Sequence, residues 1–298
     1  MLEIKKYGAI DIGSNAIRLL ISNVIVSDDK EPKFKKSSLV RVPILLGADA
    51  FTSGIISKQN VRRMIDAIEA FKLLMNVHGV KTYKACATSA MREAKNGSEI
   101  VEKIKIQTGV KIDIIGGKEE AAIISSTDLN QLIEGNHTYL YVDVGGGSTE
   151  ITVFTRGKII TSKSFKIGTV RLLNNKKSTN KEIFSNVEKW IKKNTSDLKK
   201  VSLIGSGGNI NKLFKMSGRT EGKPISYIYL NAQYQFLKQM SFDERVSELS
   251  LNPDRADVII PATKIYLSAM KWSGARKIYV PKIGLSDGII KSLFYNKF

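Results

Sequence analysis

Residues 139 to 151 read Tyr-Leu-Tyr-Val-Asp-Val-Gly-Gly-Gly-Ser-Thr-Glu-Ile. Positions 139–144 are apolar and β-branched enough for a buried strand, and 151–154 read as a second. Between them Gly145, Gly146 and Gly147 make a turn whose backbone N–H groups lie bare, because no side chain blocks a close approach. Such a hairpin can wrap phosphate oxygens. Asp143, Ser148, Thr149 and Glu150 flank it with groups able to hold a hydrated metal or orient a water. Three glycines alone suit an ordinary β-turn equally well; an acid on each side weighs toward a site.

The hairpin has a counterpart near the N-terminus. Tyr7-Gly8-Ala9-Ile10-Asp11-Ile12-Gly13-Ser14-Asn15 again ends a short apolar strand in Asp, follows it with small and polar residues, and leads into a second apolar run at 17–26. Two such hairpins predict two similar half-molecules facing each other across a cleft. The unit is far too long for a solenoid repeat.

The 298 residues suffice for a large core and point to two domains; the 42% hydrophobic content is that of a globular protein. No apolar run reaches the ~18 residues of a membrane span, and residues 1–6 hold no signal-peptide core. A single cysteine, Cys86, excludes an internal disulfide and fits a reducing cytoplasm; it reads as a small buried residue. His78 and His137 are too few for a histidine-rich metal site. The formal charge of +19, from 47 basic and 28 acidic residues, favours a polyanionic partner or serves solubility. No nucleic-acid-binding motif with interleaved aromatics accompanies it.

Along the chain, strands are expected at 7–12, 17–26 and 34–46 with a turn at 27–32, then an amphipathic helix over 59–77 capped by Ser57 and ended by Gly79. A strand over 81–87 leads into Ala87-Thr88-Ser89-Ala90-Met91-Arg92. Hydroxyls and an arginine at a helix start suit an anion, and Thr88 or Ser89 serves equally as a plain cap. A helix over 97–108 and a strand over 110–115 follow. Gly116-Gly117-Lys118-Glu119-Glu120-Ala121 then opens another helix, whose two acids are either dipole partners or, beside a phosphate, a general base. From Lys163 to Lys200 there are eleven Lys/Arg against three acids. This run, with Lys176, Lys177, Lys192 and Lys193, reads as a solvated helix face or as a route for a polyanion. Residues 201–204 form a strand before Gly205-Ser206-Gly207-Gly208. Helices are expected at 211–216, 230–240 and 242–249, with Ser241 as a cap, and over 256–273, bent by Pro261. A last strand at 277–280 and a helix over 285–295 close the sequence.

Asp11-Ile-Gly-Ser-Asn15, Ala87-Thr-Ser-Ala-x-Arg92, Gly116-x-x-Glu-Glu-Ala121 and Asp143-Val-Gly-Gly-Gly-Ser-Thr-Glu150 occur in this order. Gly168-Thr-Val-Arg-Leu172, Gly205-Ser-Gly-Gly-Asn-Ile210 and Asp254-Arg-Ala-Asp-Val-Ile-Ile-Pro261 continue the set. Together they resemble the exopolyphosphatase/guanosine pentaphosphate phosphatase (Ppx/GppA) family over essentially the whole chain. The resemblance implies an α/β protein of two ribonuclease-H-like domains, in the actin, sugar-kinase and Hsp70 superfold, with an interdomain cleft. The domains are expected at 1–125, with the helix near 285–298 packing back on it, and at 126–284.

The resemblance further implies hydrolysis of the terminal phosphoanhydride of inorganic polyphosphate, or of the 5′-γ-phosphate of guanosine pentaphosphate, with Mg²⁺. It carries the catalytic role to Glu120 rather than Glu119, with Glu150 beside it. Asp143, Glu150 and Asp11 match the acids around the metal. Ser14, Asn15, Arg92, Gly145, Gly146, Gly147, Ser148, Thr149 and Arg255 match phosphate contacts. Asn209 stands where the family has a Thr, and Ser286 where many members have Arg. The helical C-terminal extension of longer members is absent from these 298 residues. Short or medium polyphosphate is the expected substrate, with a cytoplasmic location, no membrane partner, and a homodimer compatible with the reading. The alternatives are a guanosine pentaphosphate 5′-phosphohydrolase, a kinase or ATPase of the same superfold, and a non-catalytic binder of polyphosphate or guanosine phosphates.

Overall fold

The computed structural model describes residues 2–28, 30–125, 127, 137–156, 158–174, 177–198 and 200–298. It divides into two compact units, Met1–Thr127 with Leu285–Phe298, and Asp128–Gly284.

In the first unit, β1 (Leu2–Ile12), β2 (Ala16–Ser27) and β3 (Lys30–Pro43) form an antiparallel meander. The strands are longer than their apolar runs, so the turn after β2 is tighter than the expected polar stretch at 27–32. The chain then passes through α1 (Leu46–Thr52) and α2 (Lys58–Val77) to β4 (Thr82–Ala87), which pairs parallel to β1. After α3 (Ser89–Glu93) and α4 (Gly97–Thr108), β5 (Ile112–Ile114) adds parallel to β4. The order β3-β2-β1-β4-β5 is the ribonuclease-H-like arrangement. The helical period of α2 buries Val61, Met64, Ile68, Phe71 and Met75, and Ser57 caps it by accepting from the Asn60 N–H at 3.3 Å. These side chains join Ile10, Ile12, Ile17 and Leu19 of the sheet in one core.

Two more helices complete this unit. The acid-bearing α5 (Gly117–Ser125) packs against α13 (Leu285–Phe294), where a Cβ at Gly288 would lie 2.3 Å from the Ile123 carbonyl oxygen. Only glycine permits that approach. The last residue of α13, Phe294, is edge-on to Tyr7 at 6.1 Å and to Phe34 at 5.6 Å, and in its first turn Asp287 Oδ1 pairs with Lys36 Nζ at 2.8 Å.

The second unit repeats the plan. The hairpin of β6 (Thr138–Val144) and β7 (Thr149–Thr155) continues into β8 (Lys158–Phe165). After α6 (Thr169–Asn174) and α7 (Lys177–Thr195), β9 (Val201–Ser206) pairs parallel to β6. Beyond α8 (Gly208–Met216), β10 (Ile225–Ser226), α9 (Tyr227–Gln239), α10 (Phe242–Ser247), α11 (Pro253–Ala256) and α12 (Ile259–Ser273), β11 (Lys277–Tyr279) pairs parallel to β9. The order β10-β11-β9-β6-β7-β8 is that of the first sheet with one short strand added at the edge. Ser241 and Glu244 close a reciprocal capping box at the start of α10.

Three features differ from the sequence expectation. The β8 strand is largely exposed, so it carries no alternating pattern that would reveal it. Asn252-Pro253 does not make a plain turn: Pro253 sits in the first turn of α11, where its missing N–H costs nothing. The expected bent helix over 256–273 begins later, as α12 from Ile259, after the separate α11 ends at Ala256, and Pro261 lies in the first turn of α12 rather than at a kink. No helix among the described residues is long and apolar enough to cross a membrane.

Cys86 lies on β4, buried, and burial pushes its thiol up to about 12, with Lys84 opposing and Asp11 adding to the rise. We therefore expect Ellman's reagent at about pH 8 to label the folded protein far more slowly than the denatured chain. Prompt stoichiometric labelling of the folded state would contradict that burial.

Candidate active site

In both units the motif residues gather where parallel strands end, the place where open α/β sheets bind ligands. In the first, Asp11 closes β1 and lies opposite Arg18 in the hairpin register. Arg18 Nη1 donates to Asp11 Oδ2 at 3.0 Å. Asp11 is only 5% exposed, and burial raises its pKa against the lowering effect of Arg18. The turn that follows is tied to the end of β4. Ser14 Oγ and Ser89 Oγ are 2.9 Å apart, and the Thr88 N–H donates to the Ile12 carbonyl at 3.0 Å. Asn15 and Ser14 also accept through their carbonyls from the N–H groups of Leu45 and Gly47.

Thr88 occupies the cap position of α3 without a side-chain capping bond; its hydroxyl leans instead toward the Ile12 carbonyl at 3.4 Å. Arg92 Nη1 donates to the Ile115 carbonyl at 2.6 Å, which joins α3 to the end of β5. From there α5 begins, and its two acids part company. Glu119 is exposed, whereas Glu120 is 8% exposed. Burial within the first turn thus singles out the same glutamate that the motif does.

In the second unit Asp143 and Glu150 stand directly opposite each other on β6 and β7. Directly opposed residues have Cβ atoms about 5 Å apart, where like charges destabilise unless a proton or cation lies between them. Glu150 is 2% exposed, and it accepts from Ser164 Oγ at 2.8 Å, its register partner on β8. Two oxygen donors on one rigid hairpin suit a hard cation that keeps much of its water. Among the described residues no three His, Cys, Asp or Glu side chains gather as a metal cage. The opposed carboxylates would fit a hydrated divalent cation such as Mg²⁺.

The glycine turn is gripped by its carbonyls. The N–H of Thr169 donates to the Gly145 carbonyl at 3.0 Å, and those of Val170 and Arg171 to the Gly146 carbonyl at 2.9 and 3.1 Å. Arg171 Nε takes the Gly147 carbonyl at 2.8 Å, and Thr149 Oγ1 donates to the Ile167 carbonyl. Among the described residues nothing accepts from the N–H groups of Gly146, Gly147 or Ser148. The opening turn of α6 thus spends its unpaired N–H groups on the hairpin's carbonyls and leaves the hairpin's N–H groups for a ligand. Gly168 makes this possible, since a Cβ there would lie 2.4 Å from the Gly146 carbonyl oxygen.

Several residues of the site carry no motif signal. Tyr141 and Tyr266 are buried, and burial followed by the charge of Asp143 pushes both phenols well above their usual range, so both stay protonated beside that acid. Tyr266 Oη donates to the Ser206 carbonyl, and Ser206 Oγ to the Ile283 carbonyl at 2.7 Å. A Cβ on Gly207 would stand 3.6 Å from Asp143 Oδ1, and one on Gly208 3.1 Å from Arg255 Nη2. Arg255 thus lies one residue step along the turn from Asp143's surroundings. Arg171 lies in the quoted 168–172 motif, whereas Arg18, Tyr141, Ser164 and Tyr266 could have been found only from cross-strand register and packing. In the lysine-rich run, Lys176 lies outside the described residues, and Lys192 pairs with Glu188 at 2.6 Å on an exposed face of α7.

Two outcomes follow for this geometry. Gly168→Ala should lower stability by about 1–3 kcal/mol through forced overlap with the turn, read as a lower midpoint of chemical unfolding. A wild-type midpoint would show that the contact yields freely. For Asp11, whose folded pKa is raised, the favourable contribution is complete below its unfolded pKa and is lost as pH rises through the folded one. The stability of Asp11→Asn relative to wild type should therefore improve from about pH 4 to about pH 8. A difference independent of pH would contradict the burial effect.

With the geometry in hand, comparison with known proteins gives a consistent result. The Ppx/GppA phosphatase family pattern matches residues 27–297. The bifunctional 3-dehydroquinate synthase/phosphatase of Fusobacterium nucleatum is 29% identical over 300 aligned positions, covering 91% of this chain and 44% of that protein. The chain thus spans less than half the length of that relative. Exopolyphosphatase 2 of Mycobacterium tuberculosis is 25% identical over 323 positions, covering 98% of this chain and 99% of the relative. The crystal structure of an exopolyphosphatase from Cytophaga hutchinsonii superposes with a TM-score of 0.85 at 22% identity, over 98% of each chain, which establishes the fold. By its sequence, this chain belongs to the Ppx/GppA phosphatase family.

Proposed function

We propose that the protein is an exopolyphosphatase, releasing terminal phosphate from inorganic polyphosphate by attack of a water that Glu120 orients and deprotonates. One observation carries this reading. Asp143 and Glu150 oppose each other at the mouth of a turn whose Gly146, Gly147 and Ser148 N–H groups meet no acceptor among the described residues. Bare N–H groups call for anionic oxygens, and paired carboxylates beside them call for a cation. A metal–phosphate substrate satisfies both demands at once. Likeness to exopolyphosphatase 2 along nearly all of both chains supports the same substrate class.

The charge of a terminal phosphoryl group rests on its equatorial oxygens, so catalysis is mainly positioning and neutralisation. Gly145 to Thr149 would cradle these oxygens through backbone N–H groups. Ser14, Asn15, Arg92 and Arg255 are assigned further phosphate contacts. Arg92 spends one N–H on Ile115 and has others on its five-donor fork. Asp143 and Glu150 would hold Mg²⁺, with Ser164 fixing one Glu150 oxygen. The metal when bound supplies charge neutralisation at the phosphate oxygens. Asp11 takes part in the metal-directed role only through its second oxygen, because Arg18 engages Oδ2. Glu120 is buried in the first turn of α5, whereas Glu119 beside it faces solvent.

Glu120→Gln keeps the shape and removes the base. Phosphate release from polyphosphate should fall by about 10²- to 10⁴-fold while substrate affinity is retained. Turnover near wild type in that variant would remove Glu120 from the role.

A further inference from the structure

Tyr266 reaches the acid-bearing hairpin of the second unit from outside every motif. It lies in the middle of α12 and is 0% exposed. A phenol buried so deeply needs an acceptor for its proton. Here the acceptor is main chain: Tyr266 Oη donates to the carbonyl of Ser206, the last residue of β9. Burial first, and the charge of Asp143 next, keep the proton on the phenol, so the direction of that bond is fixed.

Ser206 is the register partner of Asp143 across β6 and β9. Its carbonyl belongs to the peptide unit that leads into Gly207, whose φ of 118° suits glycine alone. A Cβ at Gly207 would meet the Val144 carbonyl oxygen at 3.0 Å, Tyr266 Oη at 3.3 Å and Asp143 Oδ1 at 3.6 Å. Gly207 thus borders the phenol, the carboxylate and the peptide that opens the three-glycine turn. A glycine has no side chain to steady its own peptide, so that peptide is held by what its carbonyl meets. Ser206 adds a second tie, donating through Oγ to the Ile283 carbonyl at 2.7 Å.

We infer that Tyr266 is a positioning residue for Asp143. Its hydroxyl holds the Ser206–Gly207 peptide as the wall beside the carboxylate, and so keeps Asp143 aimed with Glu150 at a divalent cation. The inference rests on the proposed function only in taking that cation for the Mg²⁺ of the reaction. Tyr266 acts through Gly207 and is given no contact with substrate.

Tyr266→Phe keeps the ring and deletes only the hydroxyl. As a control, Ser273→Ala deletes another buried hydroxyl of α12, which donates to the Ala269 carbonyl at 2.7 Å at the far end of the helix. Mn²⁺ serves as the probe for Mg²⁺, since both favour oxygen ligands, and its free fraction is read by electron paramagnetic resonance without substrate. In Tyr266→Phe the Kd for Mn²⁺ should rise about five- to tenfold. With polyphosphate and Mg²⁺, kcat should fall about tenfold while KM for polyphosphate moves by less than about twofold. Ser273→Ala should match the wild type in all three quantities, even where both variants melt at a lower temperature. An unchanged Kd for Mn²⁺ in Tyr266→Phe, an equal loss in Ser273→Ala, or a wild type that binds no Mn²⁺ would each overturn the positioning role. Cation binding that shifts as expected in a protein that releases no phosphate would remove the hydrolase reading and leave the role of Tyr266 standing.

Discussion

The grip of α6 on the carbonyls of Gly145 and Gly146 is the constraint on which the second unit's site depends. A three-glycine turn has no conformation of its own to defend, since each glycine roams over both halves of backbone space. Here the turn is held from behind by three helix-terminal N–H groups and by Arg171, through the gap left by Gly168. The same bonds decide which way the peptide units point. With the carbonyls taken, the N–H groups are what remains for a ligand.

The acids obey a related logic. Asp143 and Glu150 are opposed by register, not by chance of loop conformation, because β6 and β7 form one antiparallel hairpin. Sheet geometry therefore holds the two carboxylates side by side. Ser164 and the two protonated tyrosines surround the pair with hydrogen-bonding groups that carry no charge. In the first unit, Asp11 shows the other solution to acid burial, a cross-strand arginine. The two units thus share a strand order and place an acid at the same point of each.

Much of this was legible in the sequence. The glycine turn, the two Asp-ended strands, the α2 and α4 helices and the Ser57 and Ser241 caps each follow from a local rule, and the structure has them at those positions. The ordered motifs identified the family before any coordinate. What could not be read depends on contacts distant in sequence. Ser164 meets Glu150 because of the β7–β8 register, and β8 itself is too exposed to show a period. Tyr266 lies 60 residues beyond the Ser206 carbonyl that it binds. The break before α12 was mistaken for a proline kink because Pro261 is the obvious breaker, whereas a proline in a first helical turn is harmless. The choice of Glu120 over Glu119 came from the motif; the structure adds that Glu120 is buried and Glu119 exposed.

The most direct test of the central claim is orthophosphate release from polyphosphate in the presence of magnesium, wild type against Asp143→Asn. The substitution removes one charge of the opposed pair and leaves the hairpin's shape. The account predicts steady release by the wild-type protein and release near background by the variant, with the variant no less stable to unfolding than the wild type. Equal release from both proteins would contradict a site built on the Asp143–Glu150 pair.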